Sequence, residues 1–431
     1  MLPGPYAIPS ARATITGYYT NAMPTAAYRG AGRPEAAAAL ERAVDQAAAE
    51  LRIDPAELRR RNVIAAFPHR TATGATYDSG RYETALDKAL ELADYKHWRD
   101  EQRRLRAEGR HVGIGIATFV EPAGNGLWDS GLVRVDSSGG VTVITGATPH
   151  GQGHATTWAQ IVADELAIPM ERILVLTGDT AVVPLGSGTY AGRSVTVAGS
   201  AITVAARAVR DKMQAIAAEM IEARPEDVEL ADGVFQVVGT PGRSVSFDRV
   251  AATAHARAGT PGLPRGLDHL EVFELADMSY PFGTHVAVVE VEAETGEVRF
   301  LRYAGVDDCG TVINPLLVEG QMHGGLVQGL GQVLFEEIKY DPDSAQLLTG
   351  SLMDYALPRA SHIPDMHLDF METPTPLTPL GAKGVGEAGT IAFPVAVYNA
   401  VADALAPLGV RNLEMPLTPP KVWAAMHSVS H

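Results

Sequence analysis

The sequence predicts an α+β protein made of two similar mixed α/β lobes, covering residues 1–225 and 226–431. Three observations carry that expectation. The 431 residues are more than one compact core usually holds. Hydrophobic residues make up 46% and charged residues 20%, enough to fill proper cores and too apolar for a disordered chain. Helical and strand periodicities alternate in both halves, but without the regular cadence of a parallel βαβ protein.

The elements follow in order. Residues 1–27 contain prolines and a short β-like run, Ala13 to Tyr19, with no strand upstream to pair with it. The first lobe is therefore expected to be N-terminally incomplete. A helix is predicted from Arg33-Pro34-Glu35, with Leu40, Val44, Ala47 and Leu51 as its apolar stripe, and another after Asp54-Pro55. A single amphipathic helix is expected over Tyr82 to Arg106. Strands follow at Val112 to Val120, Leu132 to Asp136 and Val141 to Thr145, then a helix from Ala155 to Leu166 and a strand from Ile173 to Thr177. A long helix rich in small residues, Ser194 to Ile221, is predicted to be central. Arg224 to Asp227 and Ala258 to Gly266 have linker composition. The second half offers strands at Val286 to Val291 and Val298 to Val306 and a helix from Pro315 to Ile338. Its final helices are expected near Pro394 to Leu405 and Pro419 to Met426.

Charge and cysteine content narrow the function classes. Lys and Arg number 35 against 51 Asp and Glu, a net charge of −16, which argues against a nucleic-acid footprint. The single cysteine, Cys309, excludes an intrachain disulfide framework and a Cys-rich zinc site. No stretch approaches the roughly 18 uninterrupted apolar residues of a membrane span. The opening residues lack the charged and apolar regions of a secretory signal, so a cytoplasmic location is expected.

Several glycine motifs are decoys. Gly384-Val-Gly-Glu-Ala-Gly389 fits the dinucleotide pattern, but the Pro-rich stretch Thr373 to Pro379 before it cannot be the buried strand that pattern needs. Gly188 to Ser194 resembles a phosphate loop with its spacing one residue short and Arg193 in place of the Lys. His150 and His154 have zinc-protease spacing, but Gly151 and Gly153 lie between them and no Glu follows His150, so no protein-ligated metal is expected. What remains is a set of loops that place backbone amides near helix starts: 151–153, 192–194, 324–329 and 384–386. Such loops bind anions through N–H groups, and several in one chain suggest a large phosphate-bearing ligand.

In collinear order these loops resemble the molybdenum-binding large subunit of the molybdenum hydroxylases, the family of xanthine dehydrogenase, aldehyde oxidase and aerobic carbon monoxide dehydrogenase. The resemblance rests on Ala27-Tyr-Arg-Gly-Ala-Gly-Arg-Pro-Glu35, Gly151-Gln-Gly-His154, Gly178-Asp-Thr180 and Gly188-Thr-Tyr-Ala-Gly-Arg-Ser194. It continues through Val306-Asp-Asp-Cys-Gly310, Gly320-Gln321 with Val327-Gln-Gly-Leu-Gly331, and Gly381-Ala-Lys-Gly-Val-Gly-Glu387. It spans essentially the whole chain.

The resemblance implies a molybdopterin carrying molybdenum, in its cytosine dinucleotide form, and hydroxylation of a small molecule with water as oxygen donor. It places Glu387 at the position of the catalytic base. An apolar, glycine-walled loop around that carboxyl is expected to raise its pKa by desolvation. Gln152, Gly153, Arg193, Ser194, Gln328, Gly329 and Lys383 to Gly386 (Lys383, Gly384, Val385, Gly386) match cofactor-binding positions, and Arg29, Gly30 and Ala31 match the substrate pocket. A lone Lys383 is equally compatible with a solvated surface role. Cys309 is expected to be a small buried residue beside the cofactor loops.

Departures from the family pattern are informative. Gly30 stands where the carbon monoxide enzymes place a copper-binding Cys, and Ala31 where the purine enzymes place a stacking aromatic ring. An aldehyde or N-heterocycle is therefore the expected substrate class. The resemblance also implies partners: the missing N-terminal half of the large subunit, a small iron–sulfur subunit, and a flavin subunit carrying FAD. The alternative is a cofactor-binding or assembly remnant without turnover; a carbon monoxide dehydrogenase-like subunit fits less well.

Overall fold

A computed structural model describes residues 2–183, 185–256 and 266–428. The linker expected at Ala258 to Gly266 falls, except for Gly266, outside the described residues. Eight strands form the two principal sheets. They are β1 (His111–Val120), β2 (Trp128–Val135), β3 (Val141–Thr145), β4 (Ile173–Leu176), β5 (Asp268–Glu274), β6 (Phe282–Val291), β7 (Val298–Asp308) and β8 (His367–Met371).

One sheet has the order β8-β7-β6-β1 and the other β5-β2-β3-β4. Both follow one plan, two antiparallel pairings and a parallel pairing at one end, β7 with β8 and β3 with β4. The lobes are thus similar, but the boundary expected at 225/226 does not separate them. β1 pairs with β6 in register Thr118 with Thr284, and β5 pairs with β2 in register Leu270 with Leu132. Each sheet takes a strand from the other side of the boundary. Periodicity reveals which face a strand buries, but not the strand it joins, and β5 was not anticipated at all.

The first sheet is buried on both faces. Along β1, Val112, Ile114, Ile116 and Val120 pack on the side of helix Tyr82–Leu92, while Ala117 and Phe119 join the core around helix Ala388–Leu405. This is the period-2 alternation of a strand with two covered faces. Gly113 and Gly115 interrupt the second face because the helix lies directly on them. A Cβ at either would fall onto the carbonyl oxygens of Ala400 or Ala396. The second sheet packs Val133, Val135, Val141 and Val143 against helix Ser200–Met220, through Ile202, Ala205 and Val209, and against helix His154–Leu166.

Local departures have physical reasons. The helix expected over Tyr82 to Arg106 is two, Tyr82–Leu92 and Tyr95–Ala107, broken where Asp94 adopts a left-handed φ of 51°. The last long helix starts at Ala388, earlier than expected, and runs through Pro394. Residues 388–408 are long and apolar enough to cross a membrane, yet 72% of that window is buried inside the fold, where it forms the core helix. The run Ala13 to Tyr19 forms no strand, and Ile15, Tyr18 and Tyr19 are exposed.

The helix Arg33–Leu51 buries the stripe its sequence suggests only in part: Leu40 and Val44 pack against the core. Leu51 is exposed and Glu41 is fully buried. The cause is a polar hub: Glu41 Oε2 accepts from Arg59 Nε and from the Thr118 amide, each at 2.9 Å, and Glu41 Oε1 accepts from the Tyr6 hydroxyl at 2.5 Å. Arg59 also donates to the Ile116 carbonyl at 3.0 Å, which ties two helices to β1. Removing one partner of such a buried pair strands the other charge. Arg59→Met is expected to destabilise the fold by about 3–5 kcal/mol, read from denaturant unfolding against wild type.

Candidate active site

A cavity of about 870 Å³ opens where the glycine loops converge. Three loops wall it, around Gly151-Gln152, Thr189 to Ser194, and Lys383 to Glu387, with one face of helix Pro315–Leu334 and the segment Ala27 to Arg33. Two of these loops meet at van der Waals range through glycines. Gly192 has a φ of 64°, and a Cβ on Gly384 would lie 2.6 Å from the Gly192 Cα. Only glycine at both positions permits the approach. Behind this contact, Ser194–Gly199 forms a π-helical turn before the long helix, a rare element often found at functional sites.

Of the residues expected at the site, Arg29, Ala31, Gln152, Arg193, Ser194, Gln328, Lys383, Gly384, Val385, Gly386 and Glu387 line this cavity. Arg29 organises one wall. Its guanidinium donates to the Gly386 carbonyl, to Gln328 Oε1 at 3.0 Å and to the Gln321 carbonyl at 3.0 Å. Burial lowers the Arg29 pKa, opposed by the charge of Glu387. Gly30 lies behind the wall, where its amide donates to Glu387 Oε1 at 3.2 Å.

Glu387 occupies the N-cap of helix Ala388–Leu405 but makes no side-chain capping bond. Its second oxygen, Oε2, is buried without a hydrogen-bond donor. A carboxylate placed only to stabilise the helix would turn onto its first free amides. This one is directed away from them. The carboxyl that burial drives well above the usual range is its neighbour Glu121, just beyond β1 and 1% exposed.

Three expectations are corrected. Gly153 and Gly329 do not line the cavity. Gly153, with a φ of 73°, turns the chain into helix His154–Leu166 against Leu317. Gly324 to Gly329 lie inside helix Pro315–Leu334 rather than at a helix start. There Gly325 and Gly329 let the helix Ala388–Leu405 approach at Gly389 and Phe393. Their four-residue spacing on one helix face was the available signal.

Arg193 and Lys383 are buried wall residues whose cations turn to protein groups. Arg193 pairs with Asp129 at 2.7 Å and donates to the carbonyls of Asn125, Gly188 and Trp128. Lys383 is 2% exposed, which overturns a solvated role. Its Nζ donates to the Tyr280 carbonyl at 3.2 Å, near Asp308 at 4.0 Å. Desolvation lowers its pKa. Cys309 is buried on the cavity wall, its thiol pushed up to about 12 chiefly by burial, with Asp308 and Asp307 adding to it.

Sequence reasoning missed Glu121 and gave no site role to Gln321 and Asn314, which lie within the family motifs. Gln321 and Asn314 line the cavity, and the Asn314 side chain also caps helix Pro315–Leu334 by accepting from the Leu317 amide at 3.0 Å. The sequence signal for Glu121 was a charged residue closing an otherwise apolar strand.

Comparison with known proteins places this chain in a family. Molybdopterin cofactor-binding domain models match residues 1–63 and 88–364. The chain is 40% identical to the carbon monoxide dehydrogenase large chain of Hydrogenophaga pseudoflava, over 98% of this chain and 55% of that protein. It is 37% identical to the nicotine 6-hydroxylase large subunit of Paenarthrobacter nicotinovorans, over 99% of this chain and 54% of that protein. Among solved structures it superposes on quinoline 2-oxidoreductase from Pseudomonas putida 86 with a TM-score of 0.92 at 36% identity, covering 99% of this chain and 56% of that one. The chain spans about half the length of the curated relatives it matches.

The contact between Gly192 and Gly384 is directly testable. Gly384→Ala adds a methyl where the opposing backbone leaves no room, and overpacking of this kind costs about 1–3 kcal/mol. The urea midpoint is expected to fall accordingly. An unchanged midpoint would mean that the two loops are not in contact.

Proposed function

We propose that this chain, which belongs to the molybdopterin cofactor-binding domain family of molybdenum hydroxylase large subunits, contributes the catalytic carboxylate of an enzyme that hydroxylates an aldehyde or N-heterocycle with water as oxygen donor. The observation that carries this reading is Glu387 itself, a cavity-lining carboxyl with one oxygen held by the Gly30 amide and neither oxygen bonded to the helix start it occupies. The cavity fits the cofactor in size and donor chemistry. Its volume suits a large ligand, and its walls combine glycine backbone with neutral amide and hydroxyl side chains.

Gln152, Ser194, Gln328 and the backbone of Gly384 to Gly386 would hold molybdopterin, in its cytosine dinucleotide form. When bound, the cofactor supplies the molybdenum that takes up the two electrons of the hydroxylation. Glu387 acts as general base and accepts the proton released as oxygen is transferred. Arg29 fixes the Gly386 carbonyl and Gln328, and so sets the separation between the base and the opposite wall. Iron–sulfur and FAD-bearing partner subunits would take up those electrons, and the remainder of the large subunit would complete the cofactor cradle.

Relatives named for nicotine and carbon monoxide chemistry divide the substrate question. The wall residue Ala31 leaves room for a ring or an aldehyde chain. Gly30 carries no thiol, and the single thiol of the chain, Cys309, stays protonated at neutral pH. Soft Cu(I) takes thiolate ligands, which disfavours a copper site here.

Two outcomes are expected. In the loaded, partner-complete enzyme, Glu387→Gln should lower turnover of aldehydes or N-heterocycles by about 10²–10⁴-fold at equal molybdenum content. Unchanged turnover would remove Glu387 from the chemistry, and no turnover even in loaded wild type would favour the non-catalytic alternative. The same enzyme should not oxidise carbon monoxide when copper is supplied; copper-dependent oxidation would refute the assignment of Gly30.

A further inference from the structure

A second carboxyl stands behind the base. Glu121 follows β1, its backbone amide donates to the Pro281 carbonyl at 2.9 Å, and its side chain is 1% exposed. It forms no ion pair among the described residues. The charged groups facing it are Glu387, Arg33 and Asp307, with Arg29 also within its field. Arg33 directs its guanidinium elsewhere, to the Gly30 carbonyl at 3.2 Å and the Pro122 carbonyl at 3.4 Å. Asp307 is engaged by His285 at 3.0 Å.

With both carboxyls ionised, Glu121 Oε1 and Glu387 Oε2 are each buried without a donor. Unpaired buried acceptors are costly, and two carboxylates at contact repel in a low-dielectric interior. One proton between them removes both penalties. We propose that Glu121 is a positioning residue that remains a neutral carboxylic acid and donates its proton as a hydrogen bond to Glu387, holding the base ionised and aimed at the cavity. Of the two, Glu121 keeps the proton because it lies deeper. Glu387 already accepts from the Gly30 amide, whereas Glu121 Oε1 has no donor.

Burial first, and then the hydrogen bond and charge of Glu387, hold the Glu121 pKa well above the ordinary carboxyl range. A folded-state pKa above the unfolded one gives stability that is fully present below the unfolded value. That stability is lost as pH rises through the folded value.

The inference rests on Glu387 being the base, but it is tested separately from that reading. Infrared difference spectra of the full chain at neutral pH should contain a protonated-carboxyl C=O band that Glu121→Gln removes. Glu387→Gln should shift that band without removing it, which tests the pair even where a Glu121 variant fails to fold. Absence of the band in wild type would overturn the proposal, as would its loss in Glu387→Gln with retention in Glu121→Gln. Melting temperature should also fall with rising pH more steeply in wild type than in Glu121→Gln; equal slopes would count against it.

In the loaded enzyme, Glu121→Leu removes the donor and should move the acidic limb of the kcat profile to higher pH, while Glu121→Gln keeps a donor and should restore it. An unmoved limb in Glu121→Leu would overturn the positioning role. An intact band together with unchanged turnover in Glu387→Gln would instead fail the general-base reading and leave the acid pair standing.

Discussion

The rest of the site depends on how closely helix Ala388–Leu405 can lie on the first sheet. Gly113 and Gly115 remove the side chains that would otherwise hold it off, and the carbonyls of Ala396 and Ala400 occupy that space. Gly325 and Gly329 on the neighbouring helix bring it equally close from the other side. Backbone-to-backbone packing of this kind leaves no slack for the helix to slide or rotate, because close-packed interiors transmit displacement rather than absorb it. The first residue of the helix is therefore placed by contacts made two and three turns further along it. Glu387, immediately before that residue, inherits the precision.

Charge is distributed around the cavity in a consistent way. The fully buried cation of Arg193 and the nearly buried one of Lys383 are turned into the protein and matched there by Asp129 and by the Tyr280 carbonyl. Arg29, half-buried, is likewise turned to protein groups, and its hydrogen bonds go to the loop and helix that flank Glu387. The rest of the lining is glycine backbone, amides, hydroxyls, apolar side chains and the imidazoles of His150 and His154. Such a lining can hold a polar ligand, with Glu387 as its carboxyl group.

The sequence made most of the fold legible wherever one face of an element was apolar. It identified the long small-residue helix and the helix Pro315–Leu334, and strands β1, β2, β3, β4, β6 and β7, because burial imposes a period on each. It concealed what depends on pairing across the chain. β5 has alternating exposed and half-buried residues and gains its identity only by pairing with β2. Glu41 looks like a surface residue on an Ala-rich helix until Arg59 and Thr118 arrive from elsewhere. At the site, family motifs gave the loops and Glu387, but they could not say which glycines face a ligand and which face a helix. That distinction is made by the partner surface: Leu317 against Gly153, Phe393 against Gly329. Nor could they say that Arg193 and Lys383, charged and next to glycines, point inward.

The helix start at Glu387 shows how these constraints become chemistry. A helix begins with unpaired amides and a partial positive charge, and the usual residue at its cap spends a side-chain oxygen on them. Glu387 has the position and the charge to do so but makes no such bond. Its Oε1 is drawn instead to the amide of Gly30, which arrives from a segment more than 350 residues away in the chain. A local cap would have been the cheaper arrangement for folding, since it needs no long-range contact and no buried acceptor left open. The fold forgoes that stabilisation and keeps the carboxyl held from a distance. A purely structural Glu would gain nothing from being withheld in this way. A base that must be aimed at the cavity without being tied to its own helix requires that restraint.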